Sequence, residues 1–211
     1  MSVITLPASI DTVARTVSFS LRRAQDVLRT HAGVSQITSY PDRRWYARIQ
    51  VVIQTQTGVR DWSLALDQLS DRDNVFALTP PQYTGPSTGY SGSSPLVAGA
   101  DQLGTTLDVD TLDATSDILT AGDFFSFDVT SPGGSTNRQL MKVASDVTSD
   151  GSGDATLVMT TPIRQAPANN AAVEIDSPSA FFMLSDPESI VDLQLMRRAE
   201  FVFDCEERVF P

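Results

Sequence analysis

Between Trp45 and Gln54 the chain alternates with a period of two. Trp45, Ala47, Ile49, Val51 and Ile53 fall on one face, Tyr46, Arg48, Gln50 and Gln54 on the other, and Val52 alone breaks step. That rhythm predicts a long, half-buried strand whose polar side is made basic by Arg43, Arg44 and Arg48. The period then changes. Val59, Trp62, Leu66 and Leu69 recur as one helical stripe, with Thr57 placed to cap it and Asp61 early enough to suit the helix dipole. Upstream, two rhythms compete. Val13, Val17, Leu21, Ala24 and Leu28 have helical spacing behind a possible Asp11 cap, whereas Val17, Phe19 and Leu21 alternate with Thr16, Ser18 and Ser20. The alternation predicts a strand over 16–22.

Residues 118–163 hold three short apolar segments, 118–129, 139–143 and 155–160, broken by Ser131-Pro132-Gly133-Gly134-Ser135 and by Asp150-Gly151-Ser152-Gly153. Gly-rich punctuation between alternating runs predicts consecutive antiparallel strands, with Phe125, Phe127 and Val129 on one face. Val75–Leu78, Leu107 with Val109, Ala172–Ile175, Ala180–Leu184, Ile190–Leu195 and Ala199–Cys205 add further short strands; the last sets Phe201, Phe203 and Cys205 against Val202, Asp204 and Glu206. From Gly85 to Gly99 the composition shifts to Gly, Pro and Ser, the mark of an exposed linker or long loop. The C-terminal strands need a partner sheet, and Trp45–Gln54 is the one available. The expected organisation is therefore a discontinuous domain of residues 1–96 and 177–211 interrupted by a small inserted β-unit of residues 97–176.

Composition narrows the function classes. At 211 residues, 41% apolar and 19% charged, the chain is an ordinary globular sequence. No window reaches the roughly 18 apolar residues of a membrane span. Met1–Pro7 lacks the basic start and apolar run of a signal peptide, so synthesis and folding in a cytosol are expected. Net charge is −11, unevenly spread: residues 1–60 hold eight Arg against three acids, and the remainder holds seven basic groups against 23 acids. Such asymmetry suits nucleic-acid binding by the basic part, head-to-tail association of copies, or simply solvated charge. The acidic excess disfavours the first. Arg43, Arg44, Trp45, Tyr46 and Arg48 come closest to basic groups interleaved with aromatics, but the Trp belongs to the core-facing side.

Candidate chemistry is sparse. Cys205 is the only cysteine and His31 the only histidine, which excludes an intrachain disulfide, a thiolate metal cluster and a His-rich zinc site. Cys205 reads as a buried inert thiol and His31 as a loop or strand-end residue, ahead of any catalytic pairing. Phosphate-loop, dinucleotide, zinc-protease and nucleophile-elbow motifs do not occur. Asp108 with Asp110, or Asp123 with Asp128, offers carboxylates for acid–base work, but acidic chains always do and nothing selects a pair. Asp146–Asp154 alternates oxygens around glycines yet lacks the order and the closing Glu of a calcium loop; an Asp-Gly hairpin turn explains it more simply.

Several segments, taken in order, resemble the distal tail proteins of long-tailed, siphovirus-like bacteriophages and related tail-like particles. The likeness begins at Gly33-Val34-Ser35-Gln36 and continues through the Trp45 strand and the helix of Trp62 and Leu69. It is strongest over 97–175: Val97-Ala98-Gly99-Ala100-Asp101-Gln102-Leu103-Gly104-Thr105-Thr106-Leu107 follows the family's V-x-G-A-x-Q-x-G-x-x-L, and Leu119-Thr120-Ala121-Gly122-Asp123-Phe124 its L-K-A-G-D-aromatic. Met141-Lys142-Val143, Ser149-Asp150, Gly153-Asp154-Ala155-Thr156-Leu157, Pro162-Ile163-Arg164 and Phe182-Met183-Leu184 match later motifs in sequence. Departures are Ser35 before Gln36 without a longer polar turn, Lys142 after Met where His is common, and the first 30 residues.

The resemblance implies a mainly β fold, a β-sandwich-like tail-hub domain with one α-helix, interrupted by an inserted small β-barrel. It implies a structural virion protein at the phage tail tip, made in the host cytoplasm, with no enzyme activity, cofactor or metal. Six copies would form a hexameric ring joining the tail tube protein to the tail-tip hub or baseplate and to tail fibres. DNA would pass through the ring without specific binding, a role that suits acidic composition. Arg22, Arg23, Arg43, Arg44 and Arg48 are the candidate interface residues. Two readings from other classes stand beside it. One is a carbohydrate- or receptor-binding β-module at a tail tip, for which Tyr83 and Tyr90 are the candidate exposed aromatics. The other is a hydrolase using Asp108 or Asp123.

Overall fold

A computed structural model describes residues 2–7, 12–29, 35–71, 73–81, 83–131, 134–185, 190–194 and 198–208. His31 lies outside them. In chain order the first elements are β1 (Ser2–Val3), β2 (Thr12–Arg29), β3 (Ser35–Ile53), α1 (Gln56–Leu69), β4 (Asn74–Leu78), β5 (Leu96–Val97), β6 (Gly104–Asp110) and β7 (Asp117–Leu119). Then come β8 (Phe124–Thr130), β9 (Thr136–Lys142), β10 (Val147–Thr148), β11 (Ala155–Ile163), β12 (Val173–Glu174), β13 (Ala180–Leu184), β14 (Ile190–Gln194) and β15 (Arg198–Glu207). The fold is mainly β with one helix among the described residues. That helix is too short and too polar to cross a membrane.

The chain divides into two units. One comprises Ile4–Asn74 and Met183–Glu207; the other comprises Met1–Val3, Val75–Phe182 and Arg208–Pro211. The inner segment thus runs from Val75 to Phe182, where the sequence set it at 97–176. The difference has a local cause: β4 pairs antiparallel with β13, Phe76 opposite Phe182, which carries both flanking strands into the inserted unit.

In the first unit β2, β3, β15 and β14 form antiparallel ladders in that order. The conflict over residues 12–30 resolves to strand throughout β2, since each residue of its alternating segment has a β3 partner: Val17 faces Ile49, Phe19 faces Ala47 and Leu21 faces Trp45. The β3 strand extends ten residues upstream of Trp45. β15 accompanies it only from Tyr46 to Ile53; nearer Ser35, β2 is its sole partner among the described residues. The core-facing positions Trp45, Ala47, Ile49, Val51, Ile53, Phe201, Phe203 and Cys205 are all buried, together with Trp62, Ala65, Leu66 and Leu69 of α1. Trp62 packs with its ring centroid 6.5 Å from Phe201 and 6.3 Å from Phe203. Full burial of each large apolar side chain is worth about 1.5–3 kcal/mol relative to exposure, so this face holds the unit together. The helix cap is Thr55, not Thr57: its hydroxyl accepts the Gly58 amide at 3.1 Å, which moves the start two residues upstream and leaves Asp61 outside the first turn.

The inserted unit carries three small sheets, β5–β6–β11, β9–β8–β12 and β7–β10, around one apolar cluster that includes Leu107, Ile118, Phe125, Phe127, Met141, Leu157 and Val173. The β8–β9 hairpin forms as expected, paired from Phe124–Lys142 to Thr130–Thr136. The third segment does not extend that ladder. β11 pairs with β6 instead, and meets the β9 side through the isolated bridge of Val143 with Met159. The chain leaves the ladder after Val143 so that Val147 and Thr148 pair with β7. No closed barrel is found among the named ladders of the described residues; the isolated bridges Leu96 with Ala172 and Val143 with Met159 link the two three-stranded sheets.

The segment Gly85–Gly99 is tied down rather than free. Asp123, nearly fully buried, accepts the Ser87 amide at 3.0 Å, the Ser87 hydroxyl, and the Thr120 amide at 2.9 Å. Thr88 Oγ1 donates to the Ile118 carbonyl at 2.8 Å. The expected linker is an anchored loop of the inserted unit.

Candidate functional site

The candidate site is the polar face of the β2–β3–β15 sheet. Alternation sends the apolar side chains of β3 inward, so Tyr46, Arg48 and Gln50 stand outward, flanked by Ser18, Ser20 and Arg22 of β2 and by Asp204 and Glu206 of β15. Register sets three rows: Ser18–Arg48–Asp204, Ser20–Tyr46–Glu206 and, beyond the end of β15, Arg22 opposite Arg44. Cations therefore occupy two strands and carboxylates the third. The face is polarised across a distance of about 10 Å, two strand spacings.

Four of the five arginines singled out from sequence separate here; the side chain of Arg23 lies outside the described residues. Arg22 and Arg48 are exposed on this face, and Arg44, half-buried, shares their pleat position. Arg43 falls on the alternate position and is half-buried; its backbone partner in the ladder is Arg23. Arg22 lays its guanidinium 4.2 Å from the Tyr46 ring centroid, a diagonal cross-strand contact. Arg48 Nε is 4.0 Å from Asp204 Oδ1, with 64% and 59% of the two side chains exposed, so the pair is largely screened by solvent. Burial, followed by the hydrogen bond and negative charge of Glu206, pushes the Tyr46 phenol above its ordinary pKa, against the opposing pull of Arg22 and Arg44.

A groove of about 450 Å³ runs through these residues, lined by Ser18, Ser20, Arg22, Tyr46, Arg48 and Asp204, with Ser185 at one side. Its lining is about half polar and half apolar, and hydroxyl and guanidinium donors give the polar half the means for ion pairing and hydrogen bonding. The contribution of β15 was legible only in part. Alternation put Asp204 and Glu206 outward, but nothing local revealed that Asp204 sits opposite Arg48.

The other candidates are placed elsewhere and serve the fold. Asp128 is held by Arg138, and Asp123 anchors the Ser87 loop. Asp108 Oδ1 accepts the Thr156 hydroxyl at 2.6 Å. The Asp146–Asp154 segment holds β10 and then a tight turn, Asp150–Asp154: the Asp150 carboxylate accepts the Asp154 and Ser152 amides at 3.0 and 2.7 Å, and these bonds hold its pKa below the ordinary carboxylate value. Among the described residues no three His, Cys, Asp or Glu side chains are grouped to hold a metal ion. Tyr83 is not an exposed platform: its hydroxyl lies 3.0 Å from both the Phe124 and Ile175 carbonyls, and its ring meets Phe124 edge-on. The Tyr90 hydroxyl donates to the Ser93 carbonyl and accepts the Asp113 amide. Cys205 is buried, its thiol donating to the Ala47 carbonyl at 3.2 Å. No family model matches this chain, and no curated protein matches it in sequence.

Proposed function

We propose that the chain is a non-enzymatic structural virion protein, a distal tail component of a long-tailed bacteriophage or related tail-like particle. Its copies form a hexameric ring between the tail tube and the tail-tip hub and fibres, and DNA crosses the ring without being gripped. The observation that carries this reading is the interrupted topology: a sheet-and-helix unit split at residues 74 and 183 around a β-unit that holds the motifs of 97–175. An interrupted domain supports the reading because the family resemblance also implies one, and the polarised arginine face gives the sheet-and-helix unit a surface suited to contact between copies.

Native mass spectrometry and negative-stain imaging of the purified chain test it. The expected result is a closed six-copy ring with a central opening. A chain that stays monomeric at every concentration and fails to join purified tail tube would sink the proposal. So would measurable turnover of a substrate.

A further inference from the structure

We propose that the groove lined by Ser18, Ser20, Arg22, Tyr46 and Arg48 receives the aspartate-bearing segment Asp146–Asp154 of a second copy of the chain, β10 and the turn Asp150–Asp154 that follows it. The inference rests on the ring-forming reading and names the contact that would close each interface.

The groove is prepared for carboxylates. Stacking on Tyr46 holds the Arg22 guanidinium in place, so little rotamer freedom remains to be lost on binding. Arg48 meets Asp204 only at 4.0 Å, beyond hydrogen-bond distance, and a carboxylate arriving closer outcompetes that contact. Ser18 and Ser20 supply hydroxyl donors along one wall. The third strand argues against a nucleic-acid backbone as the occupant. Asp204 and Glu206 line the same face and repel a continuous run of phosphates, while discrete carboxylates fit beside them.

The turn is equally prepared. The Asp150 amide donates to the Asp154 carbonyl at 2.8 Å, and the Asp150 side chain bonds two further amides, which fixes the backbone before any encounter. Asp154, at the end of the turn, and Asp146, just before β10, are exposed, and Asp146 Oδ1 accepts the Ala121 amide at 2.8 Å. No Lys or Arg occurs in the chain between Lys142 and Arg164, so the segment itself carries only negative charge. A rigid anionic turn and a rigid cationic groove lose little conformational entropy on meeting, which favours this occupant over a flexible acidic tail.

Mixing two charge-reversed chains tests the contact. One carries Arg22→Glu and Arg48→Glu, the other Asp146→Lys and Asp154→Lys; circular dichroism and thermal melting establish that each is folded. Should the second fail to fold, Asp154→Lys alone replaces it. Each variant alone is expected to lose the ring, because groove and turn then carry like charges. Mixed in equal amounts they are expected to regain it with strict alternation, visible as a 1:1 mass composition, because every groove again faces a turn of opposite sign. Rings from either variant alone, or none from the mixture, overturn this contact while leaving the ring-forming reading in place whenever the unmodified chain forms rings. An unmodified chain that never forms rings overturns both.

Discussion

Arg138 sets Nε and Nη2 on the two carboxylate oxygens of Asp128, at 2.6 and 2.9 Å, from the position directly opposite it across the β8–β9 ladder. The same guanidinium reaches Ser179 Oγ at 3.1 Å and lies 5.0 Å from the Phe181 ring centroid, so one side chain ties the hairpin to the segment that leaves the unit. The Asp128 hydrogen bond and charge, with that of Glu174, raise its already high pKa despite partial burial. Replacing Arg138 with Lys keeps the charge but loses the fork. Solvent screens part of the pair, at 32% and 45% exposure, so Arg138→Lys should cost about 1 kcal/mol in urea unfolding, and Arg138→Ala about 2 kcal/mol.

Trp62 should be the costliest position on the helix. It is 2% exposed and lies against Phe201 and Phe203, whereas Leu64, two residues along, is 59% exposed. Trp62→Ala should lower unfolding free energy by about 3–5 kcal/mol. Leu64→Ala should stay within about 0.5 kcal/mol. Equal effects in chemical denaturation would contradict the packing of α1 on the sheet.

Two glycines with similar backbone angles should respond differently to alanine. Gly153 has φ of 84°, and a Cβ there would stand 2.2 Å from the Leu112 carbonyl oxygen; Gly89 has φ of 73° and open space around it. Gly89→Ala should cost about 1 kcal/mol, the left-handed backbone penalty alone. Gly153→Ala should cost clearly more, and hydrogen exchange should show its damage centred on the Leu112 and Asp150 amides, the first of which donates to Gly153 O.

Asp150 should contribute to the acid limb of stability. Its folded pKa lies below the unfolded one, near 3.9, because the amides of Asp154 and Ser152 bond the ionised form. Its contribution is therefore present above about pH 4 and is lost as pH falls through the lower folded value. Thermal melts of Asp150→Asn should match the unmodified chain more closely at pH 3 than at pH 7. A gap that is constant across this range would remove the carboxylate from the account.

The sheet-and-helix unit was readable because its signals are periodic. Ten residues of alternation around Ile49, and the alternation of Phe201, Phe203 and Cys205, foretold which faces are buried. What escaped depended on partners distant in sequence. Thr55 and Thr57 are equally good caps locally, and packing of Trp62 and Leu66 decides between them. β11 continues the sequence rhythm of β8 and β9, yet takes β6 as its partner because the chain detours through β10. The loop of Ser87 looks unanchored until Asp123 is seen beneath it, and Tyr83 and Tyr90 look available until their hydroxyls are traced to backbone groups. Buried Glu207, accepting the Trp45 amide at 3.1 Å, had no local signal at all, since a Glu at a strand end reads as solvated. The sequence reading set Arg43, Arg44 and Arg48 together on the polar side of the strand, whereas the pleat puts Arg43 on the position alternate to Arg44 and Arg48.

The sealed sulfur of Cys205 makes the molecule its own sentinel. With a single thiol, at 0% exposure in a central strand, the native chain should ignore maleimides and react only in those moments when β15 detaches. The labelling rate then reads out how often that strand lets go, free or assembled, without an introduced dye or tag.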